Sequence, residues 1–106
     1  MPRKGTGKAN RFSELLNEEI KVLMTRQSQT LVSMEEQTGI SRNRLSKSVY
    51  NSESPLNTNE LDQLCKALGA KPSEVVRRAE RALQYESFAL AAYRSDEPKG
   101  ADEIFE

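Results

Sequence analysis

The chain of 106 residues contains no histidine, no tryptophan and a single cysteine, Cys65. Histidine and cysteine supply most zinc ligands, and histidine is the usual general base beside a serine or cysteine nucleophile. No glycine-rich phosphate-binding loop follows a strand pattern either. We therefore expect a protein that is not an enzyme and that holds no metal and no cofactor.

Long apolar segments are also missing. No stretch approaches the roughly 20 apolar residues that span a bilayer, and the basic N-terminus is not followed by the apolar part of a signal peptide. The sequence thus predicts a cytoplasmic protein with no membrane partner. Because only 6% of the residues are aromatic, the core has to come mostly from aliphatic side chains, which suits a small helical bundle. Cys65 lies at helical spacing from Leu61, Leu64 and Leu68, which predicts a buried, reduced thiol.

Charge is distributed unevenly, although the formal net charge is zero. Residues 1–50 carry nine basic and five acidic side chains, whereas residues 95–106 carry one basic and five acidic side chains. The acidic excess is therefore a property of the tail, and the rest of the chain can present a surface that attracts phosphate groups.

The order of apolar and helix-capping residues predicts an all-α fold with five helices. Residues 1–10 read as a flexible basic arm, residues 11–94 as one helical domain, and residues 95–106 as a disordered acidic tail. Apolar residues from Phe12 to Leu23 recur with helical period and predict helix 1 at 11–26.

Four further helices follow from their end signals. Helix 2 is expected to begin near Thr30 or Ser33, where Ser33 and Glu36 have capping-box spacing, and to end at Gly39. Ser41 is suited to cap helix 3, which is expected to extend to Tyr50.

Helix 4 has the best-marked start in the chain. Asn57 and Glu60 form a capping-box pattern there, and Gly69 marks the end of the helix. Pro72 suits the first turn of helix 5, which is expected to extend to about Tyr93.

Helix 3 has the pattern of a DNA-reading helix. Leu45 and Val49 lie on one side and are expected to be buried, while Asn43 and Lys47 fall nearly opposite and Arg44 flanks them. An arginine fork matches the major-groove edge of guanine, and an asparagine amide matches that of adenine. Our candidate DNA-contacting residues are Ser41, Arg42, Asn43, Arg44, Ser46, Lys47, Tyr50 and Asn51, with Arg3 and Lys4 of the arm, and Ser48 is a further candidate for a phosphate contact.

A charged helix side is more often simply solvated than a binding surface. Here, however, the polar cluster follows a short helix and a Gly-Ile-Ser turn, which is the layout of a helix-turn-helix DNA reader. That context favours DNA recognition over a solvated surface.

The stretch 30–79 resembles the Cro and phage-repressor class of helix-turn-helix proteins, the XRE family. The resemblance rests on GISR at 39–42, on the linker YNSESPLN at 50–57, and on the block ELDQLCKALGAKPSEVVRRAE at 60–80. It implies a compact, lambda-repressor-like bundle of four to five helices, with Arg42, Asn43 and Lys47 as base-reading candidates. This sequence departs from the family pattern in having Glu35 where helix 2 usually has a small residue, Leu31 where glutamine is common, and Lys71 before Pro72.

We therefore expect a nucleoid-associated transcriptional regulator that binds a specific double-stranded DNA site, as a repressor of the phage-immunity or Cro-like type. Two alternatives to this expectation stay open. In the first, the chain is an antitoxin that binds DNA and also engages a toxin. In the second, it is a protein-interaction module that has lost DNA binding.

The second half of helix 5 bears on assembly. Tyr85, Phe88, Leu90 and Tyr93 extend beyond the expected core, which predicts a homodimer through helix 5 that reads a palindromic operator. The acidic tail, with Ile104 and Phe105, is a candidate docking segment for a second protein.

Overall fold

The computed structural model describes residues 7–95, and within them the chain forms five α-helices and one π-helical turn. The helices are α1 (Arg11–Arg26), α2 (Leu31–Thr38), α3 (Arg42–Leu45), α4 (Thr58–Leu68) and α5 (Pro72–Ser95), and the π turn (Ser46–Tyr50) directly follows α3. The described residues include no strand, so the prediction of an all-α fold is confirmed. Arg3, Lys4 and the tail from residue 96 onward lie outside the described residues.

Two helix starts agree with the capping signals and one differs. Asn57 accepts a hydrogen bond from the Glu60 amide at 2.7 Å, and the Glu60 carboxylate accepts from the Asn57 amide at 2.9 Å. Ser41 caps α3 by accepting from the Arg44 amide at 3.1 Å. In α2, however, the capping box is formed by Thr30 and Ser33.

The expected pairing of Ser33 with Glu36 is therefore wrong. Thr30 accepts from the Ser33 amide at 3.0 Å, and the Ser33 hydroxyl accepts from the Thr30 amide at 2.9 Å. Starting α2 at this earlier position brings Leu31 and Met34 together on the side that packs against the core. Burial of these two side chains thus decides between two possible caps.

Two helices, α2 and α4, end at a glycine whose backbone adopts the left-handed conformation. Gly39 ends α2 with a φ of 82°, and Gly69 ends α4 with a φ of 72°. Residues with a Cβ rarely adopt such values. The glycine after α2 also permits the sharp turn into α3.

The hydrophobic core lies where α1, α2, α4 and the first half of α5 meet the inner side of α3 and the π turn. Its buried apolar residues are Leu15, Leu16, Ile20, Met24, Met34, Leu45, Val49, Leu64, Cys65, Leu68, Val75 and Ala79. Cys65 is a free thiol in this core, and burial raises its pKa above the usual range. The predicted burial of Leu45, Val49 and Cys65 is confirmed.

The helices pack so that α2 holds α3 and α1 holds the π turn that follows it. α1 packs against α5, α4 and the π turn, while α2 packs against α3 and α4. Gln27, just after α1, donates from its side-chain amide to the carbonyl oxygen of Leu68 at 2.7 Å and thereby holds the end of α4.

In the described part of the chain, none of the helices has the length and apolarity that crossing a membrane requires.

Candidate nucleic-acid interface

The recognition segment, which we define as Arg42–Tyr50, begins as an α-helix and widens into a π turn. In this turn the amide of Asn51 donates to the carbonyl oxygen of Ser46, five residues earlier, at 2.9 Å. The wider turn contains more residues per turn than an α-helix. Ser48 and Val49 are both buried, three and four residues after the buried Leu45, whereas only Leu45 and Val49 were expected to be buried.

The exposed side of the recognition segment carries the predicted reading residues. The exposed residues on this side are Arg42, Asn43, Lys47 and Tyr50, together with Asn51 just beyond the segment. Ser41, which caps the segment, is exposed, and Ser46 is half-buried. The segment therefore has an apolar side packed against the core and a polar, cationic side that faces outward.

Arg42 projects over α2. Its Nε lies 3.0 Å from a Glu35 carboxylate oxygen in an ion pair, and the Arg42 side chain remains 60% exposed. Glu35 stands where the family resemblance suggests a small residue. In this chain the larger, acidic side chain therefore gives Arg42 an ion-pair partner on α2. An exposed pair of this kind is weak and can exchange for a stronger partner such as a guanine edge or a phosphate.

Arg44 does not project outward as expected. Its guanidinium donates to both oxygens of the Glu60 carboxylate at 2.7 and 2.8 Å, to the Ser54 hydroxyl at 2.6 Å and to the Pro55 carbonyl oxygen at 2.7 Å. The Arg44 and Glu60 side chains are 28% and 15% exposed. The prediction that Arg44 points to solvent or to a partner is wrong, because four acceptors on the protein draw this long side chain inward.

This ion pair changes the titration of both groups. Hydrogen bonds from Arg44 lower the pKa of Glu60, against an opposing effect of burial. The same hydrogen bonds raise the pKa of Arg44 further above its usual range. Both groups are therefore charged at neutral pH, and the pair is a charge-assisted, bidentate contact.

The predicted phosphate contact from Ser48 is also wrong. Ser48 is fully buried, and its hydroxyl lies 3.3 Å from the Ser54 hydroxyl. Ser48 follows Leu45 by three residues, so helical geometry itself places it near the inner side of the segment.

Lys21 was missed as a candidate because it belongs to α1. Its ammonium nitrogen lies 5.1 Å from the centre of the Tyr50 ring, which is a cation–π distance. The contact places a positive charge from α1 at the C-terminal end of the recognition segment. The sequence did not indicate this contact, since the only pattern in α1 is the spacing of its apolar residues.

A separate apolar surface lies on the second half of α5. Tyr85, Phe88 and Leu90 are 71%, 72% and 54% exposed. Tyr85 and Phe88, three residues apart, lie on one side of the helix, and Leu90 lies on another. We call these three residues together the α5 apolar surface. The fourth residue expected there, Tyr93, is helical, but its side chain lies outside the described part of the structure. Among the residues that the structure describes, no cluster of His, Cys, Asp and Glu side chains has the arrangement of a metal site.

Comparisons with known proteins agree with this geometry. Residues 19–79 match the family model of the Cro/C1-type HTH DNA-binding domain. The fold is similar to the crystal structure of the clp gene regulator ClgR from Corynebacterium glutamicum, with a TM-score of 0.64 and 25% sequence identity over 83% of this chain and 96% of that chain. A search of curated proteins found no match. The matched region contains α2, the recognition segment and α4, together with the second half of α1 and the first third of α5.

Proposed function

Because the chain belongs to the Cro/C1-type helix-turn-helix family, we propose that it reads a specific double-stranded DNA site by placing the recognition segment in the major groove. The observation that carries this proposal is the two-sided character of the segment. Arg42, Asn43 and Lys47 are exposed on it, while Leu45 and Val49 hold the opposite side in the core. A rigid helix that presents these donors and acceptors has the dimensions and chemistry of a major-groove reader.

Each exposed residue has a role that its chemistry suggests. Arg42 and Asn43 lie in the first turn, which enters the groove most deeply, and they suit guanine and adenine edges respectively. Lys47 is one turn further along and suits a base edge or a phosphate. Tyr50, with Lys21 over its ring, suits the phosphate backbone beside the groove.

The regulatory outcome that we propose is repression. A domain bound across a promoter excludes RNA polymerase by occupying the same DNA, so its effect depends on its concentration and affinity. The structural neighbour is itself named as a gene regulator, which supports a role in transcription.

We further propose that the protein binds as a homodimer through the α5 apolar surface. Exposed apolar side chains on one stretch of helix commonly mark a protein contact. A two-fold axis there would allow two recognition segments to reach successive major grooves, about 34 Å apart, on a palindromic operator. In the antitoxin alternative, α5 or the acidic tail engages a toxin instead.

The experiment is selection of bound duplexes from a random-sequence DNA library, followed by binding measurements on the enriched duplex over a range of salt concentrations. We expect a palindromic consensus and a logarithm of affinity that falls linearly with the logarithm of salt concentration. Equal binding to all duplexes would contradict the reading of a specific site. No binding even at low salt would contradict the proposal and favour a protein-interaction module that has lost DNA binding. Stoichiometric capture of a small toxin by the α5 apolar surface would favour the antitoxin alternative.

A further inference from the structure

Arg44 joins three separate parts of the fold. It belongs to α3, its ion-pair partner Glu60 belongs to the first turn of α4, and its other acceptors, Ser54 and Pro55, belong to the loop between them. An arginine fork that meets a carboxylate with two parallel hydrogen bonds constrains the angle between the groups as well as their distance. The contact therefore restricts rotation of α3 relative to α4.

The partners of Arg44 are themselves held in place. The Glu60 carboxylate accepts from the Asn57 amide as part of the α4 capping box, so its position is tied to the start of that helix. On the other side, the Asn17 side-chain amide of α1, which is fully buried, donates to the Ser54 carbonyl oxygen at 3.3 Å. The loop that receives Arg44 is thus attached to both α1 and α4.

Within the recognition segment, the neighbours of Arg44 face outward. Asn43 precedes it and Lys47 lies three residues later, and both are exposed. A rotation of the helical backbone at Arg44 would turn these two side chains with it, because all three share one short helical segment. The direction in which the reading residues point is therefore set in part by an inward-facing residue.

We propose that Arg44 is a positioning residue, whose bidentate pair with Glu60 sets the orientation of the recognition segment for DNA, rather than a residue that touches DNA. This inference rests on the proposed function. It predicts that loss of the pair weakens binding to the preferred duplex and lowers discrimination at all the base pairs that are read, while the preferred base sequence stays the same.

The sharpest test is the variant Glu60→Gln, because electrostatics and positioning predict opposite results. Removal of a carboxylate ordinarily raises the affinity of a protein for DNA, since repulsion of phosphate groups is lost. If Glu60 acts through Arg44, affinity should instead fall, by roughly tenfold, which is the size of one lost base contact. The amide oxygen of glutamine can still accept from the Asn57 amide, so the cap of α4 is retained.

Glu35→Gln is the matched control, because Glu35 also pairs with an arginine of the recognition segment but in an exposed position. This variant should bind DNA at least as tightly as the wild type. Arg44→Lys, which keeps the charge but not the bidentate geometry, should lose affinity as Glu60→Gln does. All affinities are measured on the duplex enriched by the wild-type protein, at a temperature where unfolding curves show every variant to be folded.

Two outcomes would overturn the inference. If Arg44→Lys and Glu60→Gln leave affinity unchanged while lowering only the melting temperature, the pair serves stability alone. If Arg44→Met changes the preference at one base pair and lowers the salt dependence by about one phosphate contact, Arg44 touches DNA directly. Failure of the wild-type protein itself to bind a specific duplex would count against the proposed function and is a distinguishable result.

Discussion

The guanidinium of Arg11, at the first residue of α1, donates to both carboxylate oxygens of Glu86, in the second half of α5. The two residues are 75 positions apart in the chain, and Arg11 also contacts Glu14 in its own helix. Hydrogen bonds from Arg11 lower the pKa of Glu86. The contact attaches the end of α5 that carries the exposed apolar residues to the helix that begins the domain.

The first prediction concerns assembly through the α5 apolar surface. Phe88→Glu should shift the protein from dimer to monomer, because an ionised carboxylate cannot be buried in an apolar contact without a large cost. Loss of a central aromatic residue should weaken dimerisation by about thirtyfold or more, which corresponds to a hot-spot effect of ~2 kcal/mol. Sedimentation equilibrium provides the measurement, and Ser87→Glu, which adds the same charge at the neighbouring exposed residue, is the control. A wild-type protein that is monomeric at all concentrations tested would contradict this prediction.

The second prediction concerns base reading by Asn43. Asn43→Ala should cost roughly 1–3 kcal/mol at one base pair of each half-site and should relax the preference there. Alanine is a good helix former, so the fold should not be weakened. The measurement is a comparison of wild-type and variant affinities over all single-base substitutions of the enriched duplex. A uniform loss over all of them would show that Asn43 does not discriminate between bases.

The third prediction concerns Lys21. Lys21→Ala should lower affinity on all duplexes alike and reduce the slope of log affinity against log salt by about 0.9, the value for one phosphate contact. The reason is that Lys21 lies over Tyr50 at the end of the recognition segment and adds positive charge there. Lys66→Ala, which removes an exposed lysine from the last turn of α4, is the control. Equal slopes for the Lys21 and Lys66 variants would exclude this phosphate contact.

The fourth prediction concerns the turn between α2 and α3. Gly39→Ala should lower the free energy of unfolding by about 1 kcal/mol, because an alanine at a φ of 82° is strained. No atom lies within 4 Å of the position where the added Cβ would be, so steric overlap should not contribute. Gly39→Asn should cost less, since asparagine tolerates this conformation better. Urea unfolding measures both effects, provided that the dependence of the unfolding free energy on urea concentration is the same for the wild type and the variants. An equal cost for the two variants would argue against backbone strain.

The fifth prediction concerns the pH dependence of stability. Because the pKa of Glu60 is lower in the folded chain than its usual value, ionised Glu60 stabilises the fold above the unfolded pKa of about 4.3 and loses that effect as the pH falls through the folded pKa. The difference in unfolding free energy between wild type and Glu60→Gln should therefore be constant near neutral pH and shrink in acid. Urea titrations at several pH values test it. In an Arg44→Met background the acid-dependent part should shrink, because the hydrogen bonds from Arg44 are the largest cause of the lowered pKa of Glu60. An undiminished acid dependence would assign the effect to another contact.

Several elements of the fold were predictable because their signals are local. The extent of α1, the capping box of α4 and the glycine ends of α2 and α4 depend on hydrogen bonds between residues three to five positions apart. The burial of Leu45 and Val49 followed from helical period, and the same period places Ser48 beside them, where it is buried. The sequence left two candidates for the cap of α2, Thr30 and Ser33, since both have suitable side chains. Burial of Leu31 and Met34 decides between them.

The sequence alone determined which side of each helix is apolar and which residues of the recognition segment are available for reading, because period and capping are properties of a few consecutive residues. Only the tertiary structure decided where the long cationic side chains end. Arg44 turns inward to Glu60, Arg42 meets Glu35, and Lys21 reaches Tyr50. Helical spacing specifies the direction of a Cα–Cβ bond, whereas the direction of a flexible arginine or lysine depends on acceptors and rings that other helices bring close.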